Sequence, residues 1–283
     1  MERFADRYFV VRDGLRLHYR DYPGSATRPP LLCLPGLTRN ARDFAAFGEL
    51  RAPGFRVLAL EFRGRGQSDY DPLPARYNPL TYAGDAIELL DLLDVEQAVF
   101  VGTSLGGLVT MTVAAIAPQR IAAAILNDVG PELERKGLER IRSYVGREDR
   151  FKSWDEAAAA IARNNGHMPA SYSQADWVNA ARRACREEQG EITFDYDPAI
   201  AAPFKVKGAT PRVDMWPLFK ALAQRSLLVV RGSESDLLSA SAFEKMKAAA
   251  PDASFVTVEG AGHAPMLGEP EAGAAIDVFL GRL

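Results

Sequence analysis

An α/β fold with a mostly parallel sheet and helices on both faces is the architecture this sequence predicts, and three observations predict it. Short, continuously apolar runs alternate with helical patterns in the first 130 and last 70 or so residues. Those runs are apolar on both faces, as strands buried inside a covered parallel sheet must be. The alternation then stops between 131 and 213, where an Ala-, Arg- and Glu-rich stretch reads as helical.

The elements follow in order. Tyr8–Arg12 and Leu15–Asp21 alternate and are joined by Asp13-Gly14, a dipeptide suited to a two-residue hairpin turn, so an antiparallel edge is expected first. Leu31–Leu34, Val57–Leu60, Gln97–Val101 and Ile121–Leu126 read as buried strands. Tyr82–Leu93 and Leu108–Ala117 read as helices, the second ended by Pro118. Ser153 with Glu156 and Ser173 with Asp176 have the spacing of helix-capping pairs inside the interrupting stretch, where no core strand is apparent. Strand patterns resume at Leu227–Val230 and Phe255–Val258, with helices near 242–249 and 271–280. The expected organisation is a core in two parts, residues 1–130 and 214–283, with a helical cap at 131–213 inserted after the sixth strand.

Composition narrows the function classes. A net charge of −3 and the absence of any basic block give no support to nucleic-acid binding. No run approaches the ~20 apolar residues that span a bilayer, and the N-terminus has no leader-type apolar segment. Cys33 and Cys185 have neither metal-ligand nor redox spacing. The expectation is a soluble, cytoplasmic protein that acts on a small molecule without metal or cofactor; its oligomeric state is not readable.

The chemistry is carried by Gly102-Thr103-Ser104-Leu105-Gly106, a G-x-S-x-G pattern placed between a strand and a helix. On such a turn the serine hydroxyl is exposed at a helix N-terminus, where developing negative charge is favoured. A serine needs a base, and the base an orienting carboxylate. Of three histidines, His263 lies in a Gly-rich loop directly after the last strand, at the edge where Ser104 opens. His18 reads as a partly exposed strand residue, and His167 as a surface or substrate-contacting cap residue. Asp236, in the loop after Leu227–Val230, is the favoured acid, because it precedes His263 and gives the order Ser, Asp, His. Asp128, ending the strand after the nucleophile helix, is the alternative, and Glu234 a lesser one. Two backbone N–H groups must face the developing oxyanion. Leu105 offers one, and Leu37 the other, since Pro35 has no N–H. Arg39 or Arg42 could recognise a substrate carboxylate or face solvent, and Trp154, Tyr172 and Trp177 could wall the site or pack the cap.

Pro35-Gly36-Leu37, Arg63-Gly64-Arg65-Gly66-Gln67-Ser68, Gly102–Gly106, Gly232–Asp236 and Gly262-His263 together resemble the α/β-hydrolase family. The chain departs from it at Pro35, where the family often has His, and at Glu61, where it often has Asp. The resemblance implies that Arg63–Ser68 is a structural loop, not a phosphate loop. It implies hydrolysis of a carboxylic ester, lactone or thioester of a small to medium, largely apolar substrate. Carbon–carbon bond hydrolysis is the enzyme alternative, and a receptor that kept the fold is the non-catalytic one. A serine at position 104 argues against epoxide hydrolase and haloalkane dehalogenase chemistry, which the family performs with aspartate.

Overall fold

The computed structural model describes residues 4–165, 172–205 and 214–283. Strands β1 (Ala5–Val10), β2 (Arg16–Tyr22) and β3 (Leu31–Leu34) come first, followed by helix α1 (Ala45–Arg51), β4 (Val57–Leu60), α2 (Pro79–Leu92), β5 (Ala98–Thr103), α3 (Leu105–Ile116) and β6 (Ile121–Asn127). The central stretch holds α4 (Arg135–Tyr144), β7 (Arg150–Phe151), α5 (Trp154–Asn164), α6 (Gln174–Ala184), β8 (Cys185–Glu188), β9 (Glu191–Phe194) and α7 (Ala202–Lys205). The chain closes with α8 (Trp216–Leu222), β10 (Ser226–Gly232), α9 (Ala240–Ala249), β11 (Ser254–Val258) and α10 (Pro270–Leu280).

Eight strands form one sheet in the order β1-β2-β4-β3-β5-β6-β10-β11. β1, β2 and β4 pair antiparallel, and every pairing from β4 to β11 is parallel. The apolar runs of β3, β4, β5 and β6 have their large side chains fully buried, Leu31, Leu58, Phe100 and Ile125 among them. Two apolar clusters flank the sheet, one on each face. This register brings the C-terminal ends of β3, β5, β6, β10 and β11 to a common edge, where ligands of such sheets bind. Among the described residues no helix is long and apolar enough to cross a membrane.

Two local expectations change. The opening hairpin turns through three residues, not two: the Val11 amide donates to Leu15 O at 3.0 Å, and Gly14 supplies the positive φ of 90°. The central stretch also contains strands, paired β7-β9-β8 in a small antiparallel sheet. Gln189-Gly190 joins β8 to β9 with both φ values positive, 55° and 81°, the two-residue turn whose twist matches a hairpin. That dipeptide was the sequence signal for it.

The stretch between β6 and β10 is rooted in two ways. Ile141 and Val145, with Tyr196, Ile200 and Ala201, pack into the larger sheet cluster. Phe151, α5, α6 and Ile192 form a separate apolar cluster of their own. Arg42 couples the two layers, donating to the carbonyls of Arg183 and Cys185 (3.0 and 3.1 Å) and to Asp195 Oδ2 (2.6 Å).

Close packing explains the glycines around the serine. A Cβ on Gly102 would sit 2.5 Å from Gly106 O, and one on Gly106 would overlap the Leu34 carbonyl. Substituting Gly106→Ala therefore forces β3 and α3 apart. A loss of roughly 3 kcal/mol is expected, since overpacking against rigid backbone lies at the upper end of its usual cost. A urea-unfolding midpoint compared with the unaltered chain measures it.

Candidate active site

β5 delivers Ser104 to the sheet edge with φ 53° and ψ −112°, a conformation rare for a residue with a side chain. The turn is fixed from both sides. Ser104 N–H donates to Asn127 O at 3.0 Å, while Ser104 O accepts from Gly107 and Leu108. Helix α3 starts at once, at Leu105 and not at Leu108.

His263, after β11, places Nε2 2.9 Å from Ser104 Oγ. Its Nδ1 lies 2.7 Å from Asp128 Oδ2. The carboxylate assigns the tautomer: Nδ1–H donates to Asp128, which leaves Nε2 to accept the serine proton. Asp128 follows β6 with φ 57° and is fully buried. Its Oδ1 accepts the Gly232 N–H at 2.9 Å, and its Oδ2 also accepts the Ser235 hydroxyl at 2.6 Å. A buried carboxylate without such donors carries a heavy desolvation cost.

The carboxylate that meets His263 is thus the alternative, Asp128, and the favoured Asp236 is corrected. Both follow strands flanking the site, but their side chains leave the sheet edge differently. Asp236 points into the central stretch and forms a two-pronged pair with Arg140, Nε to Oδ2 at 2.6 Å and Nη2 to Oδ1 at 2.8 Å. The β10 loop contributes to the histidine's partner indirectly, through the Gly232 amide and the Ser235 hydroxyl. Ser235, one position before the expected acid, carried no signal of its own.

Gly36 brings the loop after β3 against the Ser104 turn; a Cβ there would lie 3.9 Å from Ser104 Cβ. Neither the Leu37 nor the Leu105 N–H has a protein acceptor among the described residues. The Leu37 carbonyl is held from behind by Arg65, whose buried guanidinium donates to it at 2.9 Å and to Tyr82 Oη at 2.9 Å. Arg65 is a loop support that its Arg-Gly context only hinted at. Its neighbour Arg63 is buried among Asp13, Asp71 and Asp85, consistent with a structural loop.

A cavity of about 130 Å³ opens on Ser104 and His263, with Leu37, Arg39, Arg140 and Arg183 in its walls. Arg39 is among its lining residues, and its fork is taken by Asp43. Arg42 is committed to the β8 and β9 segment and does not reach the cavity. Trp154 and Trp177 do not line it either. Trp154 packs in the separate cluster with the Arg182 guanidinium 4.5 Å above its ring, and Trp177 sits edge-on to Tyr172. Both are packing residues because α5 and α6 turn those faces toward each other. His167 lies outside the described residues. His18 is fully buried between Glu61 and Asp6, at 2.9 Å from each, and is not the partly exposed residue expected. Among the described residues no cluster of His, Cys, Asp or Glu is placed to hold a metal ion.

Fold and edge geometry together define a hydrolase of the α/β class. The chain belongs to the alpha/beta hydrolase family, whose sequence profile matches residues 31–276. It is 33% identical over 267 residues to a 3-hydroxybutyrate-oligomer hydrolase of Cupriavidus necator, covering 90% of this chain and 89% of that one. It is 29% identical over 257 residues to a pimeloyl-[acyl-carrier protein] methyl ester esterase of Xanthomonas campestris pv. campestris, covering 86% and 91%. Among solved structures, an alpha/beta hydrolase from Novosphingobium aromaticivorans is 51% identical with a TM-score of 0.94, and each chain is covered completely.

Burial raises the Asp236 carboxyl, but the hydrogen bonds and charge of Arg140 outweigh it and hold the group below its ordinary value. A folded value below the unfolded one means that the unfolded chain takes up the proton first as pH falls. The pair therefore stabilises fully above about pH 5 and progressively less as pH falls through the unfolded value near 3.9 toward the folded one. Asp236→Asn should cost about 2 kcal/mol at pH 7, as expected when one partner of a partly buried ion pair is removed. The difference should shrink below about pH 4. Urea titrations of both proteins at the two pH values check this.

Proposed function

We propose that this chain hydrolyses carboxylic esters, including lactones or thioesters, through an acyl-enzyme on Ser104. The observation that carries the reading is the unbroken series from Ser104 Oγ through the two nitrogens of His263 to Asp128, at 2.9 and 2.7 Å. Ser104 Oγ attacks the ester carbonyl while His263 Nε2 takes its proton. The imidazolium so formed is stabilised by Asp128, whose remaining lone pairs are already occupied by Gly232 and Ser235. The N–H groups of Leu37 and Leu105 receive the oxyanion. His263 returns the proton to the leaving alkoxide, then takes one from water, which attacks the acyl carbonyl and frees the acid.

A 3-hydroxybutyrate oligomer is joined by ester bonds, and the second relative is by name a methyl ester esterase, so both support an ester substrate. A small molecule suits a cavity of about 130 Å³. The described residues between β6 and β10 that line it, Arg140, Arg183 and Phe194 among them, serve as its cap. The two cysteines are free and buried, which suits a reducing cytoplasm.

A fluorophosphonate probe should label the intact protein on Ser104 and leave Ser104→Ala unlabelled. A protein that does not react, or that reacts equally after the substitution, overturns the nucleophile assignment and favours a binding role. Asp128→Asn should lower kcat by about 10⁴-fold, because it reverses the tautomer that the carboxylate imposes. Asp236→Asn should keep kcat within about tenfold, since its partner is Arg140. Steady-state turnover of a short 4-nitrophenyl ester compares the two.

A further inference from the structure

Three arginines line the cavity beside Ser104, and they differ in what neutralises them. Arg39 forms a two-pronged pair with Asp43, at 2.6 and 2.5 Å. Arg140 forms another with Asp236 and donates a third hydrogen bond to the Asn164 carbonyl at 2.8 Å. The Arg183 guanidinium donates no hydrogen bond to any described residue, and its Nε is buried without a partner. The carboxylate oxygen nearest to it, Asp43 Oδ1, is 3.6 Å from Nε and is already shared with Arg39. The side chain keeps only 26% of its exposure. Set against Asp43 in the wall and Asp236 behind Arg140, the three arginines leave one positive charge in excess, concentrated on Arg183.

We propose that Arg183 is the specificity residue for a free carboxylate carried by the substrate, so that the cavity selects esters of hydroxy acids or dicarboxylic acids over neutral esters. The inference rests on Ser104 being the nucleophile and deepens that reading. A planar guanidinium presents paired N–H donors matched to a carboxylate, and it stays charged at every working pH. Burial depresses the basicity of this side chain, an energetic cost that an incoming anion relieves. One excess charge suits a monoanion.

Placement supports the assignment as well. Arg183 lies near the end of α6, and its carbonyl accepts hydrogen bonds from Asn40 Nδ2 and Arg42 Nε, each at 3.0 Å. Asn40 and Arg42 follow directly on the loop that presents Leu37. A cation on the roof is thereby tied to the segment offered to the oxyanion. A substrate held by its carboxylate is fixed relative to the carbonyl under attack, which is how remote binding contacts orient a reacting group. Arg39 and Arg42, the other arginines on the loop side, are instead committed to internal acids, Asp43 and Asp195.

The test uses two matched substrate pairs on the full-length protein. In one, 4-nitrophenyl hydrogen adipate is compared with the 4-nitrophenyl ester of adipic acid methylamide, so that the charge sits on the acyl half. In the other, the ester-linked dimer of 3-hydroxybutyric acid is compared with its C-terminal methylamide, so that the charge sits on the alcohol half. The expected result is a preference of about 30-fold in kcat/KM for the anionic member of at least one pair, the discrimination typical of a charge-assisted contact. It should be expressed mainly in KM. In Arg183→Leu the ratio should fall to near unity, and Arg183→Lys should retain part of it. Because the ratio is read within each variant, a general loss of activity cancels, and the lysine variant keeps the test decisive if the leucine variant folds poorly. Equal or poorer turnover of both anionic members, or a preference that survives Arg183→Leu undiminished, overturns the proposal. Failure of the underlying reading looks different: Ser104 goes unlabelled by a fluorophosphonate and Ser104→Ala still turns over the neutral esters.

Discussion

One buried carboxylate ties the catalytic edge together. Asp128 ends β6, accepts an amide from the end of β10 through one oxygen, and meets the imidazole that follows β11 through the other. Three neighbouring strands of the sheet therefore converge on a single side chain with no access to water. Its backbone holds a positive φ, which aims the carboxylate across the neighbouring strand ends instead of along its own. The cost of desolvating that charge is offset only if all its donors stay in place. The same set of hydrogen bonds that satisfies the Asp128 carboxylate also fixes the ring of His263, and through it the distance to Ser104.

Above this edge, arginine pairs add to the apolar packing that anchors the stretch between β6 and β10. Arg42 gathers two carbonyls and a carboxylate from the β8 and β9 side, and Arg140 joins α4 to the β10 loop. The amides of Glu134 and Gly137 complete that second attachment by donating to the carbonyls of Leu237 and Asp236. Asp236 thus ties the β10 loop to α4. Forked, partly buried guanidinium pairs suit the task because each fixes orientation as well as distance.

Much of the fold was legible because it depends on local rules. The doubly apolar strands, the glycines that let β3, β5 and α3 approach, and the strand-turn-helix around Ser104 are all written in short segments. His263 was legible by scarcity and by its position after the last strand. The choice between Asp128 and Asp236 was not, since both end strands beside the nucleophile and only backbone direction separates them. The φ of 57° at Asp128 is one that aspartate tolerates better than most residues, but both candidates are aspartates, so residue type does not separate them. Arginine partners were hidden for a different reason. Arg39, Arg42, Arg140 and Arg183 look alike in sequence, and what distinguishes them is which acid lies within reach across 4 to more than 150 positions of chain. The small β7-β9-β8 sheet was missed because its strands are short and polar and alternate only weakly.

The separate apolar cluster formed by Phe151, α5, α6 and Ile192 has a bearing on how such a protein diversifies. Its packing is self-contained, whereas the supports on either side of it, around Ile141 and Ile200, belong to the main core. Changes inside that patch therefore reach the pocket wall through Ile161, Ala180 and Ala184 while leaving the main core and the contacts of Asp128 untouched.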